Sequence, residues 1–282
     1  MKLGITNKAY TSAYGMAEGY KKMKSQGYDF ADYQHFINTE TEFFTQPLSA
    51  FENSIKEERK IAEDSGILFS QAHGPWRYPP RDYGAEEIKR RMEEFKKSIY
   101  GTAVLGSPYW VIHPLMPFGA DTGERAEEMT ELNRIAFQKL CDYAKALGVT
   151  VCLENMPFLK LPISSVESVV KFVKEMNRDN LKVCLDTGHS AVFGLSPEKA
   201  VDIIGKELLA VLHVHDNDGK RDLHQRPGEG VIDWKAFAAS LKRIGYSGAY
   251  SLECAPERDS NNPQKWEFNE LSLVMTVLLH TV

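Results

Sequence analysis

The chain has 282 residues, 43% hydrophobic and 26% charged, an ordinary globular composition and a length that buries a core without disulfide help. A formal net charge of −5, from 34 Lys+Arg against 39 Asp+Glu, argues against a general nucleic-acid binder. No apolar run reaches the roughly 18 residues of a membrane helix, and MKLGITNKAY lacks the apolar stretch of a secretory signal. Cys141, Cys152, Cys184 and Cys254 show no CxxC spacing, so we expect a cytoplasmic protein with free, buried thiols.

Strand and helix signals alternate along the chain. KLGIT opens as a strand, and an amphipathic stretch near 12–26 stops at Gly27. YDFADYQ reads as the second strand, and Leu48 to Asp64 as a helix closed by Gly66. ILFSQAH is the third strand. EEIKRRMEEFKKSIYGTAVLG carries apolar residues at helical spacing and ends at Gly106. YWVIH follows as strand four, then a long helix over 124–147 closed by Gly148.

VTVCLEN and LKVCLDT supply strands five and six, with VESVVKFVKEM as the helix between them. After strand six, SPEK opens a helix with Ser196 as cap and Pro197 in the first turn. LLAVLHVHD, DWKAFAASLKRIG and AYSLECA give the seventh strand, seventh helix and eighth strand, and a last helix is expected from about Lys265, with LSLVMTVLLHTV packed at its end. Strand–helix units in unbroken succession, without a linker, predict one α/β domain over 1–282, a (β/α)8 TIM barrel. An open doubly wound sheet is the alternative, but the glycine-rich dinucleotide turn that usually follows its first strand is missing.

Chemistry-bearing residues fall at strand ends: His73, His113, Glu154, Asp186 with His189, His213 with His215, and Glu253. In a barrel these ends share one face, where active sites form. His224 joins them from the seventh loop, whereas His35 and His280 lack that setting. Cys152 shares parity with Glu154, and Cys184 with Asp186, so inward carboxylates put the cysteines one layer deeper and turn Val151 and Leu153 toward the helices. An inward carboxylate without a partner costs several kcal/mol. A divalent cation on Glu154, Asp186, His215 and Glu253 answers that need, and the mixed oxygen and nitrogen donors suit Mn2+, Mg2+, Co2+ or Zn2+. The bland reading is that each residue separately makes a structural ion pair.

ENMP at Glu154, LDTGH at Asp186, HVHDND at His215, DLHQRPGEGVIDW beyond it and LECAP at Glu253 together resemble the xylose-isomerase-like barrel superfamily. That group contains sugar isomerases and epimerases, inosose-processing enzymes and type IV apurinic endonucleases. The resemblance runs from the third strand to the eighth. It implies that Glu154, Asp186, His215 and Glu253 hold the metal, which the carbonyl and neighbouring hydroxyl of a small sugar chelate. Glu154 and Glu253 would then exchange a proton across a cis-enediolate. It further implies that His189 and Arg221 touch substrate; His73, His113 and Trp76 are our own candidates to line the same site. The endonuclease branch carries a multinuclear zinc site, and His73, His113, His189, Asp222 and His224 stand here as additional ligands of the required types.

The apolar MPFLKLP after Glu154 and the short spacing of HVHDNDGKRD favour the sugar reading over the nuclease, and nucleic acid is not the expected partner. A keto-polyol dehydratase of the inosose type, and a non-catalytic barrel that binds a ligand or subunit, stay open as alternatives. The resemblance also makes a homodimer or homotetramer possible.

The loop GPWRYPPRDYG, with Trp76, Tyr78, Tyr83, Arg77 and Arg81, reads as a sugar lid or a surface for stacking a DNA base, and equally as a proline-stiffened rim loop. Phe118 and Phe158 stand as substrate walls or as rim packing. His213 is taken as a hydrogen-bond partner one layer below His215. Glu229 is taken to anchor its loop, and Asp32, at the end of strand two, as a turn or helix cap in preference to a substrate contact.

Overall fold

A computed structural model describes residues 2–77 and 84–254, together with two short strands beyond them. Eight parallel strands form one sheet: β1 (Lys2–Thr6), β2 (Phe30–Tyr33), β3 (Leu68–His73), β4 (Tyr109–Ile112), β5 (Thr150–Glu154), β6 (Leu181–Asp186), β7 (Leu209–His213) and β8 (Ala249–Leu252). Their order, β7-β6-β5-β4-β3-β2-β1-β8, follows the chain around a ring. The last seam closes just past β7, where Val214 N–H donates to Ser251 O at 2.8 Å and Glu253 N–H to Val214 O at 3.0 Å. The sheet is therefore the expected barrel, with helices outside it.

The helices are α1 (Lys8–Tyr14), α2 (Met16–Ser25), α3 (Glu42–Thr45), α4 (Leu48–Asp64), α5 (Ala85–Leu105), α6 (Ala126–Ala146), α7 (Val166–Met176), α8 (Thr187–Val192), α9 (Pro197–Ile204) and α10 (Trp234–Ile244). Helix α7 shows why this sequence packs: Val166, Val169, Val170 and Val173 recur at helical spacing and are buried, giving one apolar stripe for the sheet. Ser165 starts it by accepting the Ser168 N–H.

Three sequence expectations need correction. The stretch near 12–26 is two helices, because Gly15 stands between them at φ 76, a left-handed backbone that favours glycine. Ser196 precedes Pro197 as expected, but its hydroxyl donates to Glu198 Oε1 at 2.5 Å and caps no backbone N–H. Beyond β8, Trp266–Glu267 (β10) pairs antiparallel with Glu257–Arg258 (β9), so these two residues are strand where a helix was expected. The rest of that expected helix, including LSLVMTVLLHTV and His280, lies outside the described residues, as do Tyr78, Arg81 and Tyr83.

Val151 and Leu153 join the large core between sheet and helices, while Cys152 and Cys184 pack with Val111 and Val211 in a separate cluster inside the barrel. All four cysteines are free and buried, and burial raises the Cys152 thiol pKa well above its ordinary value. Among the described residues, no helix is long and apolar enough to cross a membrane.

Candidate metal centre

The strand ends gather the expected side chains into overlapping donor groups whose ligand atoms lie within 4.8 Å of one another. One group is His73, His113 and Glu154; a second is Glu154, Asp186, His213 and Glu253; a third is His189, His215, Asp222 and His224. Glu154 belongs to the first two, so its carboxylate sits at the hinge of the site.

The second group contains His213 where the sequence pointed to His215. His213 closes β7, and its Nδ1 lies 2.9 Å from Glu154 Oε1 and 3.0 Å from Glu253 Oε2. His215 lies beyond the strand, and its Nε2 approaches Asp186 Oδ2 at 2.9 Å and Asp222 Oδ1 at 3.8 Å. Its ring stacks on His224 with centroids 4.1 Å apart. Helix α8 makes room for this ring through Gly188, where a Cβ would stand 2.0 Å from His215 Cε1.

The donor set fits a cation on the evidence of its tautomers. His73 donates Nδ1–H to Gly74 O at 2.8 Å, His189 to Asn155 O at 2.7 Å, and His224 to Glu253 O at 2.6 Å. Each neutral ring is thereby left with a bare Nε2. These nitrogens face carboxylates: His73 Nε2 lies 3.5 Å from Glu154 Oε2, and His189 and His224 Nε2 each lie 3.3 Å from Asp222. Lone pairs opposed to carboxylate oxygens in a buried pocket repel unless a cation or proton lies between them. His224 even adopts the left-handed region at φ 47, a backbone cost that the surrounding contacts sustain.

The same crowding moves the proton equilibria. Burial resists charge on His189, but Asp186 and Asp222 outweigh it and raise the pKa to about 9. Burial likewise opposes the charged form of His224, yet Asp222 and Glu253 lift it to about 10. Glu154 is driven well below the ordinary carboxylate range: desolvation opposes this, and the His213 and His113 rings overcome it. At His113 burial wins over Glu154, and the pKa falls.

These groups open into a cavity of about 390 Å³. Its polar wall holds His73, His113, Glu154, His189, Asp222, His224 and Glu253, and its apolar wall is built from Ile37, Trp76, Met156, Pro157 and Phe158. Trp76 meets the His113 ring edge-on at 4.4 Å. Phe118 does not line it; the Arg125 guanidinium covers that ring at 3.4 Å. Arg77 pairs with Glu87 at the start of α5.

Several expected roles shift. The Arg221 side chain is 72% exposed and clasps Asp218 at 2.8 Å, away from the cavity lining. Its loop is anchored by Asp216 rather than Glu229: buried Asp216 accepts from Trp234 Nε1 and Gly228 N, both at 3.0 Å. Glu229 pairs only with its neighbour Arg226 among the described residues. Asp32 is neither turn nor cap; it lies in β2, wholly buried, against His213 Nε2 at 3.0 Å. Gln34, which the sequence reading passed over, donates to Glu253 Oε1 at 3.1 Å. A polar residue just past a strand end was the signal that could have found it.

Known proteins share this architecture. D-psicose 3-epimerase of Agrobacterium fabrum is 27% identical over 211 residues, covering 69% of this chain and 67% of that protein. Inosose isomerase of Bacillus subtilis is 29% identical over 168 residues, or 57% of this chain and 59% of that protein. The chain thus spans about three fifths to two thirds of the length of the curated relatives it matches. The crystal structure of the IOLI protein with a zinc atom bound superposes with a TM-score of 0.74 at 20% identity, covering 100% of this chain and 99% of that one. A family model matches residues 20–269, and the chain belongs to the xylose isomerase-like TIM barrel family.

Proposed function

We propose that this chain is a divalent-metal-dependent isomerase or epimerase of a ketose or related polyol ketone. The observation that carries this reading is the pair of carboxylates, Glu154 and Glu253, held against one nitrogen of His213 at 2.9 Å and 3.0 Å. Both line the same cavity of about 390 Å³, a volume at the small-ligand end of binding sites. Similarity to a D-psicose 3-epimerase and an inosose isomerase supports the substrate class, and the zinc named for the IOLI protein supports a metal.

Glu154, Asp186, His213 and Glu253 would hold the cation. When bound, it supplies Lewis acidity that polarises a carbonyl and steadies the negative charge building on oxygen. One glutamate removes the proton from the carbon next to the carbonyl, and the other returns a proton from the opposite side. Return to the same carbon inverts it; return to the carbonyl carbon, with the neighbouring hydroxyl proton passing to the former carbonyl oxygen, moves the carbonyl. Gln34 holds one oxygen of Glu253, leaving its orientation little freedom. Trp76 and Phe158 offer flat apolar surfaces to the C–H faces of a sugar and keep water from the proton transfer.

The test is deuterium uptake from solvent into a panel of ketoses and inososes, with the protein loaded in turn with Mn2+, Co2+, Mg2+ and Zn2+. We expect label at the carbon next to the carbonyl, lost in both Glu154→Gln and Glu253→Gln. No uptake across the panel in metal-loaded protein would overturn the reading.

A second reading rests on the neighbouring donor group His189, His215, Asp222 and His224 beside His73 and His113. A site holding several cations suits phosphodiester hydrolysis at an abasic DNA site. Elemental analysis separates the two: about one ion per chain favours the sugar enzyme, and about three zinc ions the nuclease.

A further inference from the structure

Beneath the cavity, β2 and β3 fall out of register between Ala31 and Asp32, so that Ala31 faces Phe69 but Asp32 faces Gln71. Such an irregularity re-aims a side chain, and here it brings a carboxylate into the barrel interior. Asp32 is fully buried. Its Oδ2 accepts from Gln71 Nε2 at 3.0 Å and lies 3.0 Å from His213 Nε2. Its Oδ1 has no hydrogen-bond partner among the described residues.

The opposite edge of the same ring is Nδ1, between Glu154 Oε1 and Glu253 Oε2. A neutral imidazole carries a single N–H, on one nitrogen or the other. With the proton on Nδ1, Asp32 would face a lone pair in a dry interior, an arrangement costing several kcal/mol. With the proton on Nε2, Asp32 is satisfied, and Nδ1 turns its lone pair to the point where both glutamates converge. That lone pair is what a cation requires.

We propose that Asp32 is a positioning residue of the metal centre: it accepts the Nε2–H of His213, makes Nδ1 the ligating atom and raises its basicity. The inference rests on the reading that Glu154, Asp186, His213 and Glu253 hold a cation. It adds a residue from β2, a strand that contributes none of those four ligands. Gln71 completes the arrangement. Its amide donates to both Asp32 and Leu212 O at 3.3 Å, tying the carboxylate to the strand that carries His213.

Two measurements test this without relying on turnover. In the first, Co2+ is titrated against a competing chelator into metal-free wild type and Asp32→Asn, with the Co2+ absorption band recorded. We expect Asp32→Asn to bind about 10- to 100-fold more weakly while the band keeps its shape, since the ligands are unchanged. Equal affinity within twofold would overturn the role of Asp32. A wild type that takes up no Co2+ would overturn the metal centre itself, so the two failures are distinct. In the second, histidine-labelled wild type loaded with Zn2+ is examined by long-range 1H–15N NMR, which needs no variant to fold. His213 protonated at Nε2 and bound through Nδ1 is expected; binding through Nε2 would overturn the proposal.

Discussion

Asp186 caps the helix that carries His189: its Oδ1 accepts the His189 backbone N–H at 2.7 Å, while its Oδ2 lies 2.9 Å from His215 Nε2. One side chain thus ends β6, starts α8 and joins the donor cluster. Fold and site are coupled at this residue, and the two roles separate by substitution. Asparagine keeps a cap oxygen but loses the charge; alanine loses both. We expect Asp186→Ala to destabilise the metal-free protein by about 0.5–2 kcal/mol and Asp186→Asn by less, with both weakening metal binding. Urea unfolding in the presence of chelator measures the first effect, and a Co2+ titration the second. Equal stability of both variants with wild type would remove the cap from the account.

The placement of His213, rather than His215, against both Glu154 and Glu253 has its own consequence. Metal added to the folded protein stabilises it by mass action, about 2.7 kcal/mol at a free concentration 100 times Kd. For a domain of this size that corresponds to roughly 5 °C in Tm. With free Mn2+ or Co2+ held at 100 times the wild-type Kd, His213→Asn should lose this shift and His215→Asn should keep most of it. Thermal melts with and without chelator read the outcome directly. A shift lost only in His215→Asn would return the ligand to the position first expected from the sequence.

Gly188 offers a steric test of the neighbouring group. A methyl there meets His215 Cε1 at 2.0 Å and Nδ1 at 2.4 Å, so the ring must move, and with it the contact to Asp186. Overpacking of this kind costs about 1–3 kcal/mol. Gly188→Ala should lower the urea midpoint. It should also cut uptake of any second ion while leaving the first, as read by elemental analysis after dialysis. Unchanged stability and unchanged metal content would show that the loop gives way freely.

The sequence carried the ring of strands because each apolar run ends in, or is followed directly by, a polar residue, as in TVCLE and LKVCLD. It carried the convergence of Glu154, Asp186 and Glu253 for the same reason. Depth was harder to read. His213 and His215 share parity, and alternation alone could not say which lies at the level of the glutamates; that depends on where β7 ends and how Val214 pairs across to β8. The role of Asp32 was hidden by a four-residue strand whose register breaks beside it. Arg221 belongs to a long loop whose path is set by hydrogen bonds to Asp216, and no local periodicity encodes such a path.

Away from the centre, His35 provides a pH test free of metal chemistry. Its Nε2 lies 3.1 Å from Thr11 Oγ1 and 3.7 Å from buried Glu58. Desolvation lowers its pKa below 6.5; the Glu58 carboxylate opposes this without prevailing, and Lys8 adds to the lowering. The folded chain therefore binds the His35 proton less readily than the unfolded chain does. Its contribution to stability is complete above about pH 6.5 and declines as the pH falls toward the lowered folded value. His189 and His224, whose pKa values are raised, act in the opposite sense, losing their contribution as pH climbs toward about 9 and 10. Comparing wild type with His35→Gln isolates the first effect, because glutamine can still bond Thr11 but does not titrate. Between pH 7.5 and 5.5, in chelator, the urea midpoint of wild type should fall more steeply than that of the variant. Parallel curves would mean that His35 titrates alike in both states.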